Sequence, residues 1–115
     1  MKSQKDKVFR LLGLARRAGG IAPGTGAVRR SIREGEALLI LMASDASSVQ
    51  LDKIRTTLHD RTIPQITLGD RSTLGAAVGL APLSAVAVTL RSLADQLISE
   101  LNASENERRV DAVEA

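Results

Sequence analysis

The sequence predicts an α/β fold, a three-layer α/β/α sandwich built on a small, mixed, four-stranded sheet. Short apolar runs of the kind that form buried strands alternate along the 115-residue chain with longer segments in which apolar residues recur at helical spacing. Glycine, proline and helix-capping residues separate these segments. Strands that alternate with helices favour a parallel or mixed sheet with helices on both faces.

Five segments have the pattern of amphipathic helices. In the first segment, apolar side chains fall at i, i+3, i+4 and i+7, and Gly19-Gly20 ends the helix. In the second, Val28 and Ile32 are expected to face inward. Asp70 can cap the fourth, which ends near Gly79. The predicted helices cover residues 4–18, 24–34, 48–59, 70–79 and 90–102.

Four short segments are predicted strands. Residues 38–42 and 85–88 are continuous apolar runs, which is typical of strands that are covered on both faces. In residues 63–68, Pro64 indicates an edge strand or the first residues of a strand. A brief extended piece, residues 21–22, completes the set.

The chain is expected to form one domain over residues 1–102, followed by a polar tail, residues 103–115, that we expect to be disordered. No run approaches the roughly 18 apolar residues of a membrane helix, and the charged N-terminus does not resemble a secretory signal. These features predict a cytoplasmic protein without membrane association. The absence of cysteine excludes disulfides and thiolate metal sites.

Positive charge is concentrated in the first third of the chain. Residues 1–35 carry nine Lys or Arg against Asp6 and Glu34, a net charge of +7, although the whole chain has only +3. Such a distribution indicates one positive face that would attract a phosphate backbone. A solvated basic surface without a ligand is the alternative.

Little in the sequence supports an enzyme. His59 is the only histidine, and its polar surroundings favour a surface or capping role. Asp45 follows a buried strand, where α/β enzymes often place acids, but a helix cap explains it better. No metal-ligand spacing or nucleophile elbow is present. We therefore predict no catalytic residues, no metal and no cofactor.

The aromatic content limits how this chain could bind RNA. Phe9 is its only aromatic residue. Proteins that bind single strands commonly stack bases on aromatic side chains. An RNA-binding protein of this composition must instead recognise shape, phosphates or exposed base edges.

A glycine-rich turn before the second helix is the strongest candidate for a binding site. In Gly24-Thr25-Gly26, glycine permits close approach of another backbone, and free N–H groups at a helix N-terminus attract anions. Position 26 and three arginines behind it are spaced i, i+3, i+4 and i+7, which places them on one helix face. The alternative is an ordinary turn with a solvated arginine face. The three arginines are Arg29, Arg30 and Arg33.

Four motifs occur in the order and spacing of a known family. They are residues 13–19 (GLARRAG), 24–35 (GTGAVRRSIREG), 38–45 (LLILMASD) and 74–79 (LGAAVG) followed by 85–88 (AVAV). Together they resemble bacterial YlxQ-like proteins, the bacterial branch of the kink-turn RNA-binding L7Ae/L30e ribosomal-protein superfamily. The resemblance spans roughly residues 7–90.

The resemblance implies a three-layer α/β/α fold that binds structured RNA, typically the bent kink-turn, through two neighbouring loops. One is the N-terminus of the second helix, and the other precedes the last strand. Arg30 stands where such members have a lysine, and arginine suits bidentate contacts with phosphate or guanine. The predicted RNA-binding residues are Gly24, Thr25, Gly26, Ala27, Arg29, Arg30, Arg33, Leu80, Ala81, Pro82, Leu83 and Ser84.

The sequence departs from this family at two positions. Strong kink-turn binders carry Asn-Glu after Gly-Thr, and these side chains reach the tandem sheared G·A pairs. Here the pair is Gly26-Ala27, which cannot read a base edge by hydrogen bonding. Each missing side chain could remove on the order of 1–3 kcal/mol of discrimination. We therefore predict RNA binding with weakened or altered kink-turn selectivity.

Two function classes remain open. The first is a monomeric RNA-binding module whose partner is kink-turn or ribosomal RNA, with ribosome association left open. The second is a protein–protein interaction module that kept the fold and lost RNA specificity. Salt dependence separates them, because phosphate binding weakens steeply as ionic strength rises and a hydrophobic interface does not.

Overall fold

The computed structural model describes residues 4–114, with side chains described for residues 6–102. Within these residues, five helices alternate with four strands. The helices are α1 (Gln4–Arg17), α2 (Thr25–Arg33), α3 (Ser48–Leu58), α4 (Arg71–Ala77) and α5 (Arg91–Glu114). The strands are β1 (Ile21–Pro23), β2 (Leu39–Met42), β3 (Gln65–Thr67) and β4 (Ala85–Val88).

The four strands form one mixed sheet in the order β1-β4-β2-β3. β4 is antiparallel to both of its neighbours, so that Val86 lies opposite Pro23 on one side and Leu41 on the other. β2 and β3 are parallel. Every residue of β2 and β4 is buried, as their continuous apolar sequences predict. β3 is an edge strand, which explains why Pro64 is tolerated immediately before it.

Helices cover both faces of the sheet and bury two separate cores. Because successive side chains of a strand point to opposite faces, Leu39 and Leu41 enter one core and Ile40 and Met42 enter the other. α1, α4 and α5 pack on the first face, and α2 and α3 on the second. The helices contribute Leu12, Leu74 and Leu97 to the first core and Val28, Ile32 and Ile54 to the second.

The three-layer sandwich predicted from the sequence is confirmed, with each predicted helix and strand in its place. The last helix differs in length, because α5 continues to Glu114, past the expected end near residue 102. The predicted tail, residues 103–115, lies outside the residues whose side chains the structure describes, so the division into a domain and a tail stays a prediction. Within residues 4–114, no helix combines the length and hydrophobicity of a membrane span.

Candidate nucleic-acid interface

The strand directions bring three helix N-termini and the loop before β4 to one edge of the sheet. β1, β2 and β3 run in the same direction and β4 runs against them, so the first three strands end where β4 begins. α2, α3 and α4 follow these strands and therefore start at this edge. We call residues 24–27 and 80–84, which lie there, the candidate interface.

The two loops that the sequence singled out are direct neighbours. Pairing of β1 with β4 continues past the strands, since the Gly24 N–H donates to the Ala85 carbonyl at 2.8 Å. Leu83 lies beside the same glycine, with its Cδ2 3.9 Å from where a Cβ of residue 24 would be. Gly24 has φ +93°, a conformation that glycine adopts far more readily than other residues. The sheet therefore holds the two loops against each other.

The N-terminus of α2 has no side-chain cap, in contrast to the two helices beside it. Gly24 is the N-cap residue of α2, and it has no side chain to accept a hydrogen bond. Ser47 caps α3 by accepting from the Gln50 N–H, and Asp70 caps α4 by accepting from the Thr73 N–H. The first turn of α2 therefore presents backbone N–H groups, at the positive end of the helix dipole, to an external anion.

The three arginines of α2 are not equivalent. Arg30 and Arg33 are exposed, so their guanidinium groups are accessible. Arg29 is half-buried, and its Nε donates to the Thr57 hydroxyl of α3 at 2.9 Å. This contact fixes one edge of the Arg29 guanidinium against α3. The arginine face predicted from spacing therefore consists of two free side chains and one that also joins α2 to α3.

Arg61 fixes the other end of α2, a role that the sequence analysis did not predict. Its guanidinium donates to the carbonyl of Ile32, and Nη2 lies 3.4 Å from the carbonyl of Arg33. A cation at these last carbonyls satisfies unpaired acceptors and complements the negative end of the dipole. No local signal could have identified Arg61, because it is 29 residues from Ile32 in sequence.

The loop of residues 80–84 is held by backbone hydrogen bonds at both ends. The Leu80 N–H donates to the Gly75 carbonyl at 2.9 Å, and the Ser84 carbonyl accepts from the Ala43 N–H at 2.8 Å. Gly75 has to be glycine, because a Cβ there would clash with the carbonyl group of Ala81. The loop presents an apolar lip made of the exposed residues Leu80, Ala81 and Pro82, while Leu83 and Ser84 are half-buried.

Asp45 and Arg71 form an ion pair beside this loop. Asp45 Oδ1 accepts from the Arg71 N–H at 2.8 Å, and its Oδ2 lies 3.4 Å from Arg71 Nε. Asp45 therefore acts as a helix cap, as predicted, but for α4 rather than for the helix that follows it in sequence. The Arg71 carbonyl accepts from the Leu83 N–H at 3.0 Å. This places a half-exposed guanidinium next to the candidate interface, at a residue that the sequence did not single out.

His59 lies away from this edge, at the end of α3. It is the exposed C-cap residue of that helix, with φ +46°, in agreement with the predicted surface or capping role. Among the side chains that the structure describes, no cluster of three or more His, Asp or Glu residues could hold a metal ion.

Comparison with known sequences identifies one protein family. The model of the ribosomal protein L7Ae/L30e/S12e/Gadd45 family matches residues 6–98. The RNA-binding protein YlxQ of Bacillus subtilis is 36% identical over 94 residues, which cover 82% of this chain and 94% of that protein. The large ribosomal subunit protein eL8 of Thermoplasma volcanium is 30% identical over 84 residues, 72% of this chain and 69% of that protein.

Two solved structures share this fold. A protein of unknown function from Bacillus halodurans superposes with a TM-score of 0.77 at 27% identity and covers 84% of this chain and 97% of its own. The 15.5kD RNA binding protein of Giardia lamblia superposes with a TM-score of 0.71, over 90% of this chain and 92% of its own. At 15% identity, the second similarity concerns the fold alone.

Proposed function

The chain belongs to the ribosomal protein L7Ae/L30e/S12e/Gadd45 family, and from this premise we propose that it binds structured RNA, of the kink-turn or ribosomal kind, without catalysing a reaction. The binding residues are those of the candidate interface together with the arginines of α2. The sequence relatives that are named for RNA binding or for the ribosome support the ligand class.

One observation carries this proposal: the uncapped N-terminus of α2 lies directly beside the loop of residues 80–84. The free N–H groups offer hydrogen bonds to a phosphate, and Gly24 and Gly26 let the RNA backbone approach closely. Arg30 and Arg33 extend the positive surface along α2. The apolar lip of the loop can pack against an exposed base or ribose without a stacking aromatic.

Selectivity for the kink-turn is expected to be weaker than in relatives that carry the Asn-Glu pair. Gly26 and Ala27 stand at these two positions and supply neither an amide nor a carboxylate. Phosphate attraction does not depend on those groups. The protein should therefore bind through shape and charge, with less discrimination by base edges.

A protein–protein interaction module is the second candidate, and the apolar lip favours it. Leu80 is 38% exposed and is continued by the exposed residues Ala81 and Pro82. An apolar contact at this loop would bind a protein partner with little dependence on salt. The ionic-strength dependence of binding therefore decides between the two candidates.

The test is a titration of the protein into a labelled kink-turn RNA and into a plain duplex of equal length, at low and moderate salt. We expect binding to both RNAs that weakens steeply with salt, with a modest preference for the kink-turn. The R30Q/R33Q variant should show a log–log salt slope that is shallower by roughly 1.4–1.8, which corresponds to two lost phosphate contacts.

The matched control is R55Q/R91Q, which removes the same charge from the opposite edge of the sheet, where α3 ends and α5 begins. Among the side chains of residues 6–102, these two exposed arginines pair with Asp52 and Asp95 alone, and such pairs contribute little stability. The control should bind like the wild type. If the wild type binds neither RNA at low salt, the RNA proposal fails and the protein-partner candidate replaces it.

We further propose that the protein acts as a cytoplasmic monomer, on the ribosome or on another structured RNA. Sedimentation of the purified protein should give the mass of one chain, 12.2 kDa. Sucrose-gradient fractionation of a cell extract distinguishes the two locations, because a ribosome-bound protein travels with a ribosomal subunit. A dimer in sedimentation would contradict the monomer.

A further inference from the structure

We propose that the groove between α1 and α4 is a second RNA-binding surface, which takes the phosphate backbone of an RNA arm that extends from the candidate interface. The inference rests on the proposed function and assigns RNA contacts to the sheet face opposite α2. The groove has a volume of about 470 Å³. It is lined by Asp6, Phe9, Arg10, Gly13, Arg17 and Ala77.

The groove exists because two small residues face each other where α1 and α4 cross. A Cβ on Gly13 would lie 3.3 Å from the Ala77 carbonyl oxygen, so the two helix backbones lie close together. With no side chain at position 13 and only a methyl group at 77, the surface is depressed between the longer side chains of α1. A sugar–phosphate backbone can enter such a depression.

Two arginines stand on either side of Gly13, spaced i and i+7 on the same face of α1. Arg10 and Arg17 are therefore roughly 10 Å apart along the helix axis, a distance that spans several consecutive phosphates of one strand. Both are exposed. A guanidinium group binds phosphate oxygens in a bidentate manner and remains charged at all physiological pH values.

Arg10 and Arg17, like Arg30 and Arg33 of α2, have no acidic partner among the side chains that the structure describes. Lys7 pairs with Glu100, Arg71 pairs with Asp45, and the arginines of α3 and α5 pair with neighbouring acids. Asp6 is the one acid among the groove residues, and it has an interaction of its own. The charge of the groove is therefore available to an external anion, most of all at Arg17.

The groove runs from the sheet edge of the candidate interface towards the C-terminal end of α4. At the first end, Phe9 Cζ lies 3.4 Å from where a Cβ of Gly69 would be, and Gly69 follows β3 at that edge. At the second end, Arg16, next to Arg17 in sequence, donates to the Val78 carbonyl, two residues before the loop of residues 80–84 begins. Ala77, in the groove, is separated from that loop by two residues. An RNA arm that leaves the loop on this side meets the groove directly, which favours RNA over an acidic protein as the occupant.

The distribution of charge supports an extended RNA contact. The nine basic residues among the first 35 do not gather at α2 alone, because α1 carries a share of them on the other side of the sheet. One RNA that bends over the sheet edge would contact both groups. A single site at α2 would leave the unpaired arginines of α1 without a ligand.

The test compares two RNAs that share one kink-turn and differ in arm length. Arms of about five base pairs reach only the candidate interface, whereas arms of about 20 base pairs, roughly 60 Å long, exceed the largest dimension of the molecule, 42 Å. R10Q/R17Q should weaken binding to the long-armed RNA about tenfold at low salt and lower the log–log salt slope by roughly 1.4–1.8. Its affinity for the short-armed RNA should stay within about twofold of wild type.

R55Q/R91Q again controls for net charge, and thermal unfolding checks that the groove variant folds. If R10Q/R17Q binds the long-armed RNA with the slope of the control, the groove is not an RNA surface, although the proposed function stands as long as the wild type binds. If the wild type binds neither RNA, the proposed function fails and the groove proposal fails with it. Loss of short-armed binding in R10Q/R17Q would also overturn a role that is confined to the arm.

Discussion

Helices α2 and α4 begin at the same edge of the sheet, but their N-termini differ in what neutralises them. Two carboxylates bind the first turn of α4: Asp70 Oδ1 accepts from the N–H and the hydroxyl of Thr73, and Asp45 Oδ1 accepts from the Arg71 N–H. The first turn of α2 follows Gly24 and receives no side-chain oxygen. The first turn of α4 is therefore neutralised within the fold, whereas the first turn of α2 keeps the uncapped N–H groups that the proposed RNA contact requires.

The starts of α4 and α2 thus divide stabilisation and the proposed binding between neighbouring positions of one sheet edge. Carboxylates near a helix N-terminus stabilise it by a few tenths to about 1 kcal/mol each, but they also repel an incoming phosphate. α4 is tied to the sheet by such groups. α2 is secured elsewhere, by Val28 and Ile32 in the core and by Arg61 at its C-terminal carbonyls, so its N-terminus can remain open without loss of the helix.

The largest effect is expected from giving the open end of α2 the side chains that it lacks. G26N/A27E should raise the preference for an intact kink-turn over its G·A-disrupted version, by about 1–3 kcal/mol for each contact restored. The space is available, since a Cβ on Gly26 would have no atom within 4 Å. Filter binding of both RNAs measures the ratio.

A matched variant, G26A/A27M, enlarges the side chains at the same positions without an amide or a carboxylate and should leave the ratio near that of the wild type. If G26N/A27E gains no selectivity, then the backbone at α2 is not positioned for the kink-turn, and the comparison with Asn-Glu relatives does not extend to this chain.

The next largest effect is expected where α4 meets the loop of residues 80–84. Gly75→Ala places a Cβ 2.7 Å from the carbonyl carbon of Ala81, so the loop has to move. Overpacking of this kind costs typically about 1–3 kcal/mol of unfolding free energy. Chemical denaturation measures the loss, and RNA affinity should decrease with it because the loop forms half of the candidate interface.

Gly26→Ala is the control within a helix, because the added methyl group meets open space. It should leave the free energy of unfolding unchanged or raise it by up to about 1 kcal/mol, in line with helix propensity. Equal effects of the two substitutions would show that the close contact between Gly75 and Ala81 does not limit stability.

The smallest effect is expected at the capped end of α4. Asp70→Ala removes the N-cap and should lower the free energy of unfolding by about 1 kcal/mol. Thr25→Ala, in the first turn of α2, should have a clearly smaller effect because that helix start relies on no side-chain cap. Thermal melts of the two variants make the comparison, and a larger loss from Thr25→Ala would reverse the distinction between the two helix ends.

Local sequence patterns were sufficient for the elements and for the glycine-rich turn before α2, whereas the loop of residues 80–84 was predicted to bind only through the family resemblance. The continuous apolar run of β2 indicated a buried strand, and the spacing of Val28 and Ile32 indicated the inner face of α2. All four residues of β2 are buried in the structure, and so are Val28 and Ile32. These predictions succeed because periodicity reflects contacts between near neighbours and one common core.

The roles of individual side chains at the edge could not be predicted in the same way. Arg29 was grouped with two free arginines, yet it donates to Thr57, 28 residues away. Arg61 and Arg71 were not singled out, and their partners are 29 and 26 residues distant. Such contacts depend on which strands become neighbours, and no local pattern records that.

The sequence by itself determined the alternation of helices and strands, the burial of β2 and β4, the excess of positive charge near the N-terminus and the glycine that leaves α2 uncapped. The tertiary structure alone decided that Gly24 and Leu83 lie together, that Asp45 caps α4, and that the arginines of α1 and α2 lie on opposite faces of the sheet. The physical reason is the strand order. Because β4 lies between β1 and β2, it pairs with residues of β1 that are 63 to 67 positions earlier in the chain, and this pairing places the loops of the candidate interface at one edge.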